Sequence, residues 1–342
     1  MPRGGANFAS EELVRVLSHY DVGVVHRVRS LPVGNRRAPK VIVHADKGTF
    51  LLKRRPRGRD DMNRVAFAHA VQRHLAARGF PVTSLVATSD EHKTVLNVDN
   101  HIYELFAFVT GSRCDGSAEA TTDAGRQLAH LHVCLRDFAH DYEPFQGSFH
   151  DSATVRQHLQ MIRTDKRTGS LQRAAAVTES LVIRYDRSSN RVDRVGYASW
   201  KRQVIHGDWH PGNLLFSDRK VVGVVDFDSI RVAPPVTDLA NGMLQFSILG
   251  VSPDPAQWPD AFDQERLLQF LAGYREVVPL SKRKLYGLVD LMIEAMVAEA
   301  VLPVAATGFF GDHSGLDFLR MIVRKTKWLR HHRKELTETM LA

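Results

Sequence analysis

The stretch from residue 204 to 230, VIHGDWHPGNLLFSDRKVVGVVDFDSI, constrains the fold more than any other part of the chain. Residues 206–213 place two glycines and a proline among polar side chains, which excludes regular helix or strand there. Two short apolar runs follow, at 214–216 and 221–225, and the polar turn 217–220 separates them. Apolar runs joined by so short a turn predict a β-hairpin.

This hairpin brings Asn213 and Asp226 to the same end of two paired strands, because the two residues flank its open side. Opposed residues in a ladder lie about 4.5 to 5.5 Å apart at Cα. An amide oxygen and a carboxylate therefore converge beside the loop that carries Asp208. Hard oxygen ligands suit Mg²⁺, which keeps several waters and takes carboxylates together with substrate phosphates. The sequence thus predicts a magnesium site at Asn213 and Asp226.

At these residues the chain resembles a known family. The pattern H-G-D-x-x-x-x-N, followed by a short hairpin and D-F-D, is similar to the catalytic core of the aminoglycoside phosphotransferase and choline kinase group. Homoserine kinase-like and spore-coat kinase-like proteins are similar to it as well, and all are relatives of protein kinases. The resemblance implies ATP-dependent transfer of the γ-phosphate to a hydroxyl of a small molecule. It makes Asp208 the catalytic base and His206 the orienting histidine, while Asn213 and Asp226 hold the magnesium ions on the ATP phosphates.

The resemblance covers nearly the whole chain and implies an α+β, protein-kinase-like fold of two lobes. The expected division is a small β-rich nucleotide-binding lobe at residues 1–106, a hinge at 107–111, and a larger, mostly helical catalytic and substrate-binding lobe at 112–342. The order of patterns agrees with this division, because strand-like alternation precedes the hinge and 3.6-residue periodicity follows it.

A second hairpin pattern at residues 41–53 ends on Lys53. In the resembled family a strand lysine contacts the ATP phosphates, and the resemblance assigns that role to Lys53. Its neighbours Arg54 and Arg55 are expected to follow the strand out to solvent.

The loop at residues 30–40 precedes this hairpin and would cover the phosphates. It contains a single glycine, Gly34, so a G-x-G-x-x-G pattern is absent. Arg36 can supplement backbone amides on phosphate oxygens. A solvent-exposed basic turn is an equally open interpretation of this loop.

The chain departs from the family in the following helix, predicted at residues 60–78. The glutamate that pairs with the strand lysine would fall near Ala68, and no acid stands there. Asp60 and Asp61 lie more than a turn earlier and reach Lys53 only if the helix start is displaced. The partner of Lys53 therefore stays open.

The apolar run at residues 101–109, HIYELFAFV, resembles the hinge between the lobes. The resemblance assigns backbone contacts with adenine to Ala107 and Val109, and it places Phe106 at the back of the pocket. A plain buried strand would have nearly the same pattern.

Composition limits the location and the partners. Two cysteines in 342 residues cannot form a disulfide framework, which favours a reducing cytoplasm. The start of the chain has no apolar signal segment, and no stretch approaches eighteen apolar residues, so neither export nor membrane insertion is expected. The formal net charge of +8 is spread along the chain, apart from a basic run at 324–334 with helical spacing, so no nucleic acid is expected.

The acceptor is a small-molecule alcohol whose identity stays open. A polycationic aminoglycoside requires an acidic site, whereas residues 151–200 mix Arg and Lys with fewer acids. Homoserine, choline, sugars and other alcohols remain candidates. ATP versus GTP, and monomer versus homodimer, stay open too.

Two other functions remain open. A catalytically idle kinase-like protein that binds a nucleotide or a partner is favoured by the missing helix acid. A metal-dependent hydrolase would use His206, Asp208 and His210 as a zinc triad, since imidazole and carboxylate bind Zn²⁺. The hydrolase leaves Asn213 and Asp226 without a role, which favours the kinase.

Overall fold

The structure, a computed structural model, describes residues 7–32, 38–168, 170–250 and 252–342. In chain order the helices of these residues are α1 (Ser10–Leu17), α2 (Met62–Ala76), α3 (Ala118–Cys134), α4 (Ala153–Thr164), α5 (Leu171–Arg194), α6 (Val236–Ser247), α7 (Gln264–Arg275), α8 (Lys282–Thr307) and α9 (Gly315–Leu341). The strands are β1 (Val25–Ser30), β2 (Lys40–Ala45), β3 (Gly48–Arg54), β4 (Leu85–Val86), β5 (Leu96–Val98), β6 (His101–Ala107), β7 (Gln203–Ile205), β8 (Leu214–Ser217), β9 (Lys220–Val224), β10 (Arg231–Ala233), β11 (Phe309–Phe310) and β12 (His313–Ser314). The predicted α+β class is confirmed.

The chain divides into two compact units. The first unit consists of Met1–Arg113, Cys134–Pro144 and Asn213–Ile230. The second consists of Cys114–Val133, Phe145–Gly212 and Arg231–Ala342. The lobe boundaries at residues 106 and 111 stay a prediction.

The first unit is built on an antiparallel sheet with the strand order β1-β2-β3-β6-β4, and β5 pairs with β6. Leu52 of β3 and Leu105 of β6 belong to a core that includes Val16 of α1. Successive side chains of a strand point to opposite faces. Lys53 and Glu104, which stand opposite each other on β3 and β6, therefore share the other face of the sheet.

Helix α2 of the first unit begins at a capped turn. The side chain of Asp61 accepts the backbone N–H of Arg64, which satisfies one of the unpaired donors at the helix start. Phe67, Val71 and Leu75 are buried along one stripe of the helix. This stripe fixes the rotation of α2 about its axis.

Strands β8 and β9 form the hairpin that the sequence predicts. They pair in antiparallel register, with Leu214 opposite Val224. Asp218 and Arg219 at the turn have φ of 47° and 63°. Positive φ at both central residues belongs to the two-residue turn whose twist matches that of the strands.

The second unit is mostly helical, as predicted for the later part of the chain. Helix α8 contacts α4, α5, α6 and α9. Leu288, Leu291 and Met292 of α8 are fully buried. Strands β7 and β10 pair with Ile205 opposite Arg231, and β7 leads directly into the polar loop after residue 205. Among the helices described, none is both long enough and apolar enough to cross a membrane.

Candidate active site

In the first unit, Lys53 meets two carboxylates. Its Nζ lies 3.2 Å from Oδ2 of Asp228 and 3.9 Å from Oε2 of Glu104. These contacts identify the acids that the sequence left open. Asp61 caps α2 instead, and Asp60 accepts the backbone N–H of Gly58 at 2.8 Å. The partner of Lys53 thus comes from the neighbouring strand and from the D-F-D segment.

Glu104 is the buried centre of this group, with a relative exposure of 1%. Its Oε2 accepts Nε of Arg55 at 2.7 Å, and its Oε1 lies 3.0 Å from Nη2 of the same guanidinium. Nε2 of His69 lies 2.7 Å from Oε1. Burial alone would raise the pKa of Glu104, but the bond to His69 and the charges of Lys53 and Arg55 hold that pKa far below its usual value. Glu104 is therefore a carboxylate anion.

The acid beside Lys53 comes from strand β6, whereas the family pattern places it on helix α2. His69 is the residue after Ala68, so α2 contributes a ring nitrogen close to where an acid was expected. Strand β6 contributes the acid, Glu104. A carboxylate still lies beside Lys53, although its position in the sequence differs.

Asp228 joins the same group. Its Oδ1 accepts Nη2 of Arg55 at 2.7 Å, and its backbone oxygen accepts Nη2 of Arg64 at 2.9 Å. Burial raises the pKa of Asp228, while the charges of Lys53 and Arg55 lower it, and the net shift is downward. The expectation that Arg55 points to solvent is wrong, because its guanidinium pairs with two carboxylates and is 6% exposed.

A further lysine stands on the neighbouring strand. Lys40 of β2 is opposite Lys53 of β3. Burial and the charge of Lys53 lower the pKa of Lys40, against the opposing charges of Asp226 and Asp228. No sequence motif marks Lys40, because its position beside Lys53 depends on the pairing of β2 with β3.

Asn213 and Asp226 lie at the open end of the β8–β9 hairpin, where the sequence places them. The backbone N–H of Val225 donates to the carbonyl of Asn213 at 3.0 Å, which extends the pairing beyond the strands. The Asn213 side chain is buried, whereas Asp226 is exposed. Asp226 has φ 62° and ψ 62°, a left-handed conformation that Asp tolerates better than most residues. The chain turns there from β9 into a 3₁₀ turn at Phe227–Ser229.

This pair fits Mg²⁺ by the chemistry of its donors. One amide oxygen and one open carboxylate are hard oxygen ligands, and they leave positions for water and phosphate oxygens. Asp226 is exposed and therefore accessible to a hydrated cation. Neither residue offers the nitrogen or sulfur donors that zinc favours.

The predicted adenine contacts lie on and after β6. Phe106 is buried, and its ring centroid lies 6.4 Å from that of His69. The backbone N–H of Ala107 donates to the carbonyl of Ser84 at 2.8 Å, so this amide already has a partner. Val109 is half-buried. Gly34 and Arg36 lie outside the described residues.

In the second unit, the Asp238 carboxylate binds the backbone of the loop that follows β7. Its Oδ2 accepts the backbone N–H of His206 at 2.8 Å, and its Oδ1 accepts that of Gly207 at 2.9 Å. Asp238 lies in the first turn of α6 and is 2% exposed. Gly207 has φ +78°, a conformation that glycine adopts at little cost. Asp238 therefore fixes the backbone of this loop at two successive residues.

His206 orients the same loop from within. Its ring is buried, and Nδ1 accepts the backbone N–H of Asp208 at 3.3 Å. Nδ1 is therefore not a free metal ligand. The side chain of Asp208 is 38% exposed, and its Oδ2 lies 3.7 Å from Nε2 of His210. Asp208 thus presents a carboxylate on a loop whose backbone is fixed by other groups.

The zinc triad of the hydrolase alternative is not assembled. Nδ1 of His210 accepts the backbone N–H of Gly212 at 3.0 Å. Across the described part of the chain, no three or more His, Cys, Asp or Glu side chains are grouped to hold a metal ion. The two histidines instead fix backbone amides of the loop.

We expect Asp238→Ala to lower the free energy of unfolding by about 3 kcal/mol, because one buried and one half-buried amide lose a charged acceptor. Urea denaturation monitors the change. Asp254→Ala is the matched control, since its exposed carboxylate also accepts a backbone N–H, that of Ala256. A loss no larger than that of the control would contradict the role of Asp238.

Several known proteins are similar to this chain. Residues 28–329 match the family model of the phosphotransferase enzyme family. Homoserine kinase of Brucella ovis is 24% identical over 222 residues, which are 63% of this chain and 62% of that protein. The chain thus spans 62% of the length of the curated relatives it matches first.

Solved structures show the same fold. The microcompartment-associated aminopropanol kinase has a TM-score of 0.72 and 17% identity, with 96% of this chain and 99% of that one covered. Amicoumacin kinase in complex with AMP-PNP, Ca²⁺ and its ligand has a TM-score of 0.68 and 14% identity, with 97% and 94% covered. The predicted protein-kinase-like fold is confirmed.

Proposed function

Because the chain belongs to the phosphotransferase enzyme family, we propose that it is an ATP-dependent kinase that phosphorylates a hydroxyl of a small molecule. The observation that carries this proposal is the pairing of Lys53 with Glu104 and Asp228 in the first unit. It supplies the acid whose absence from α2 had favoured a catalytically idle protein.

The first unit would bind the nucleotide. The ammonium of Lys53 would contact phosphate oxygens, with Glu104 holding the side chain in place. The hinge residues 107–111 would meet adenine, with Phe106 behind it. AMP-PNP in the amicoumacin kinase complex supports ATP as the donor.

Asn213 and Asp226 would hold Mg²⁺. When bound, the ion would neutralise charge on the phosphate oxygens during transfer. The buried amide of Asn213 is fixed at the hairpin end, and the left-handed backbone of Asp226 sets the direction of its carboxylate. These features support Asn213 and Asp226 as the pair of oxygen donors that would hold the ion.

Asp208 would act on the acceptor. Its carboxylate orients the attacking hydroxyl and takes its proton, while the new O–P bond forms and the bond from the γ-phosphorus to the ADP oxygen breaks. Asp238 and His206 hold the loop beforehand, so little reorganisation accompanies the reaction.

Two free cysteines agree with a reducing cytoplasm as the place of action.

ATP with Mg²⁺ should stabilise the native protein against heat. At about 100 times Kd the ligand adds ~2.7 kcal/mol, which shifts the melting midpoint by several degrees. Asp226→Asn should shrink the shift, because it removes the charge while keeping a residue that tolerates φ 62°. Differential scanning fluorimetry measures the change.

Asp218→Asn is the control for this prediction. Asp218 is exposed, has φ 47° and lies at the opposite end of the same hairpin. It should leave the ATP-dependent shift unchanged. A shift of the melting midpoint by ATP that is the same without Mg²⁺ and in Asp226→Asn would favour an idle nucleotide binder.

A further inference from the structure

A cavity of about 310 Å³ lies within the second unit. Helices α6, α8 and α9 form its walls, together with β11 and the loop residue Pro211. Most of the lining is apolar, including Leu244, Trp258, Met296, Phe310, Phe318 and Met321. Pro211 follows Asp208 by three positions, so the cavity reaches the loop that carries the proposed base.

One wall of the cavity is aromatic. The rings of Phe310 and Phe318 are stacked with centroids 3.8 Å apart. The Trp258 ring meets Phe318 edge-on at 6.2 Å. Three packed rings offer a rigid apolar surface that fits another apolar or aromatic group.

Lys325 lines the cavity but does not offer it a free cation. Its ammonium donates to the carbonyls of Leu249, Pro259 and Ala261 at 3.2, 2.7 and 3.3 Å. An ammonium has three N–H donors, so these bonds use all of them. Burial lowers the pKa of Lys325 to about 8. The cavity is therefore not an anion site.

Glu299 is the carboxylate of the cavity. Its oxygen accepts the side-chain amide of Gln245 on α6. The surrounding protein and the negative charge of Asp208 raise the pKa of Glu299, and the charge of His210 opposes the shift. The Glu299 side chain is nevertheless exposed, which weakens the effect of burial on its pKa. Glu299 thus places a carboxylate on the polar side of this space, and the charge of Asp208 acts on it from the neighbouring loop.

We propose that the cavity is the acceptor site and takes an alcohol that carries one protonated amine and an apolar, preferably aromatic, body. This inference rests on the proposed kinase function. The amine pairs with Glu299, the apolar body lies on the rings of Trp258, Phe310 and Phe318, and the hydroxyl faces Asp208. A polyhydroxylated polycation finds too few polar partners on these walls.

Isothermal titration calorimetry without nucleotide tests the chemical class directly. At pH 8, above the raised pKa of Glu299, the titrants are phenylalaninol, its neutral N-acetyl derivative, and ethanolamine, which lacks the apolar body. Phenylalaninol should bind at least about tenfold more tightly than either of the others, because each lacks one contact.

Glu299→Gln should weaken phenylalaninol by about tenfold or more and leave the N-acetyl derivative unchanged. Glu265→Gln is the matched control, because that exposed helix glutamate also accepts a glutamine side chain. Phe310→Ala should reduce the preference for phenylalaninol over ethanolamine. Thermal melting checks that each variant is folded.

Equal binding of phenylalaninol and its N-acetyl derivative would overturn the proposal. So would an unchanged affinity in Glu299→Gln, or no binding of any titrant at millimolar concentration. The Mg²⁺-dependent shift with ATP is measured on the same protein and needs no acceptor. A failure of the acceptor class is thereby distinguished from a failure of the kinase function.

Discussion

Replacing Asp208 with asparagine should lower kcat by about 10² to 10⁴-fold and leave nucleotide affinity near normal. Asparagine keeps the shape of the side chain but cannot take the hydroxyl proton. The loop should persist, because Asp238 and the His206 ring bind its backbone amides. Release of ADP with the fastest alcohol of a substrate screen measures kcat, and calorimetry measures the Kd for ATP.

His210→Gln separates the kinase from the hydrolase. In the kinase, His210 neighbours Asp208 and fixes the amide of Gly212 but takes no proton from the acceptor, so its loss should cost far less than that of Asp208. In a zinc hydrolase, both substitutions would abolish activity and zinc would restore the wild type after chelation. Turnover retained in Asp208→Asn would rule out its role as base.

The parts of the site that the sequence predicted are local in the chain. The turn at Asp218 and Arg219 needs only two residues that tolerate positive φ, and it fixes the pairing that brings Asn213 to Asp226. Likewise, His206 and Asp208 are two residues apart, and the backbone N–H of Asp208 donates to the His206 ring. Residues so close together in the chain have few possible arrangements, so the motif and the turn residues suffice to predict their local geometry.

The acid beside Lys53 could not be predicted in the same way. Arg55 and Glu104 are 49 residues apart in the chain and meet only because β3 pairs with β6 in one register. A shift by one residue would move Glu104 to the opposite face. The acid stands in a mostly apolar run, HIYELFAFV, a pattern that predicts a buried strand without a charge. Its signal in the sequence was Arg55, two residues after Lys53, whose guanidinium pairs with Glu104.

The cavity near the loop could not be predicted from the sequence either, because its walls come from helices that are distant in the chain. Gln245, Glu299 and Lys325 belong to α6, α8 and α9. Helical periodicity predicts which faces are buried, but not which faces leave a space between them. Lys325 is an example, because it belongs to a basic run on α9 and is nevertheless fully buried.

The largest loss of stability is expected for Glu104→Ala, about 3 to 5 kcal/mol, the range for breaking a buried ion pair by removing one partner. Arg55, which is 6% exposed, would lose the carboxylate that accepts two of its hydrogen bonds. The His69 ring would lose its hydrogen-bond acceptor. Urea denaturation should show a lower midpoint. Glu91→Gln is the control, because that glutamate pairs with Lys93 on the exposed surface, and it should change little.

A purely structural role for Glu104 is separated from positioning of Lys53 by the double variant Glu104→Gln with Arg55→Met. Replacing both members of a buried ion pair with residues of similar volume often recovers stability. Lys53 would still lack the carboxylate 3.9 Å away, although Asp228 at 3.2 Å would remain. Stability should therefore return in part, while the Kd for ATP with Mg²⁺ stays raised about tenfold or more. Recovery of both quantities together would show that Glu104 serves only the fold of the first unit.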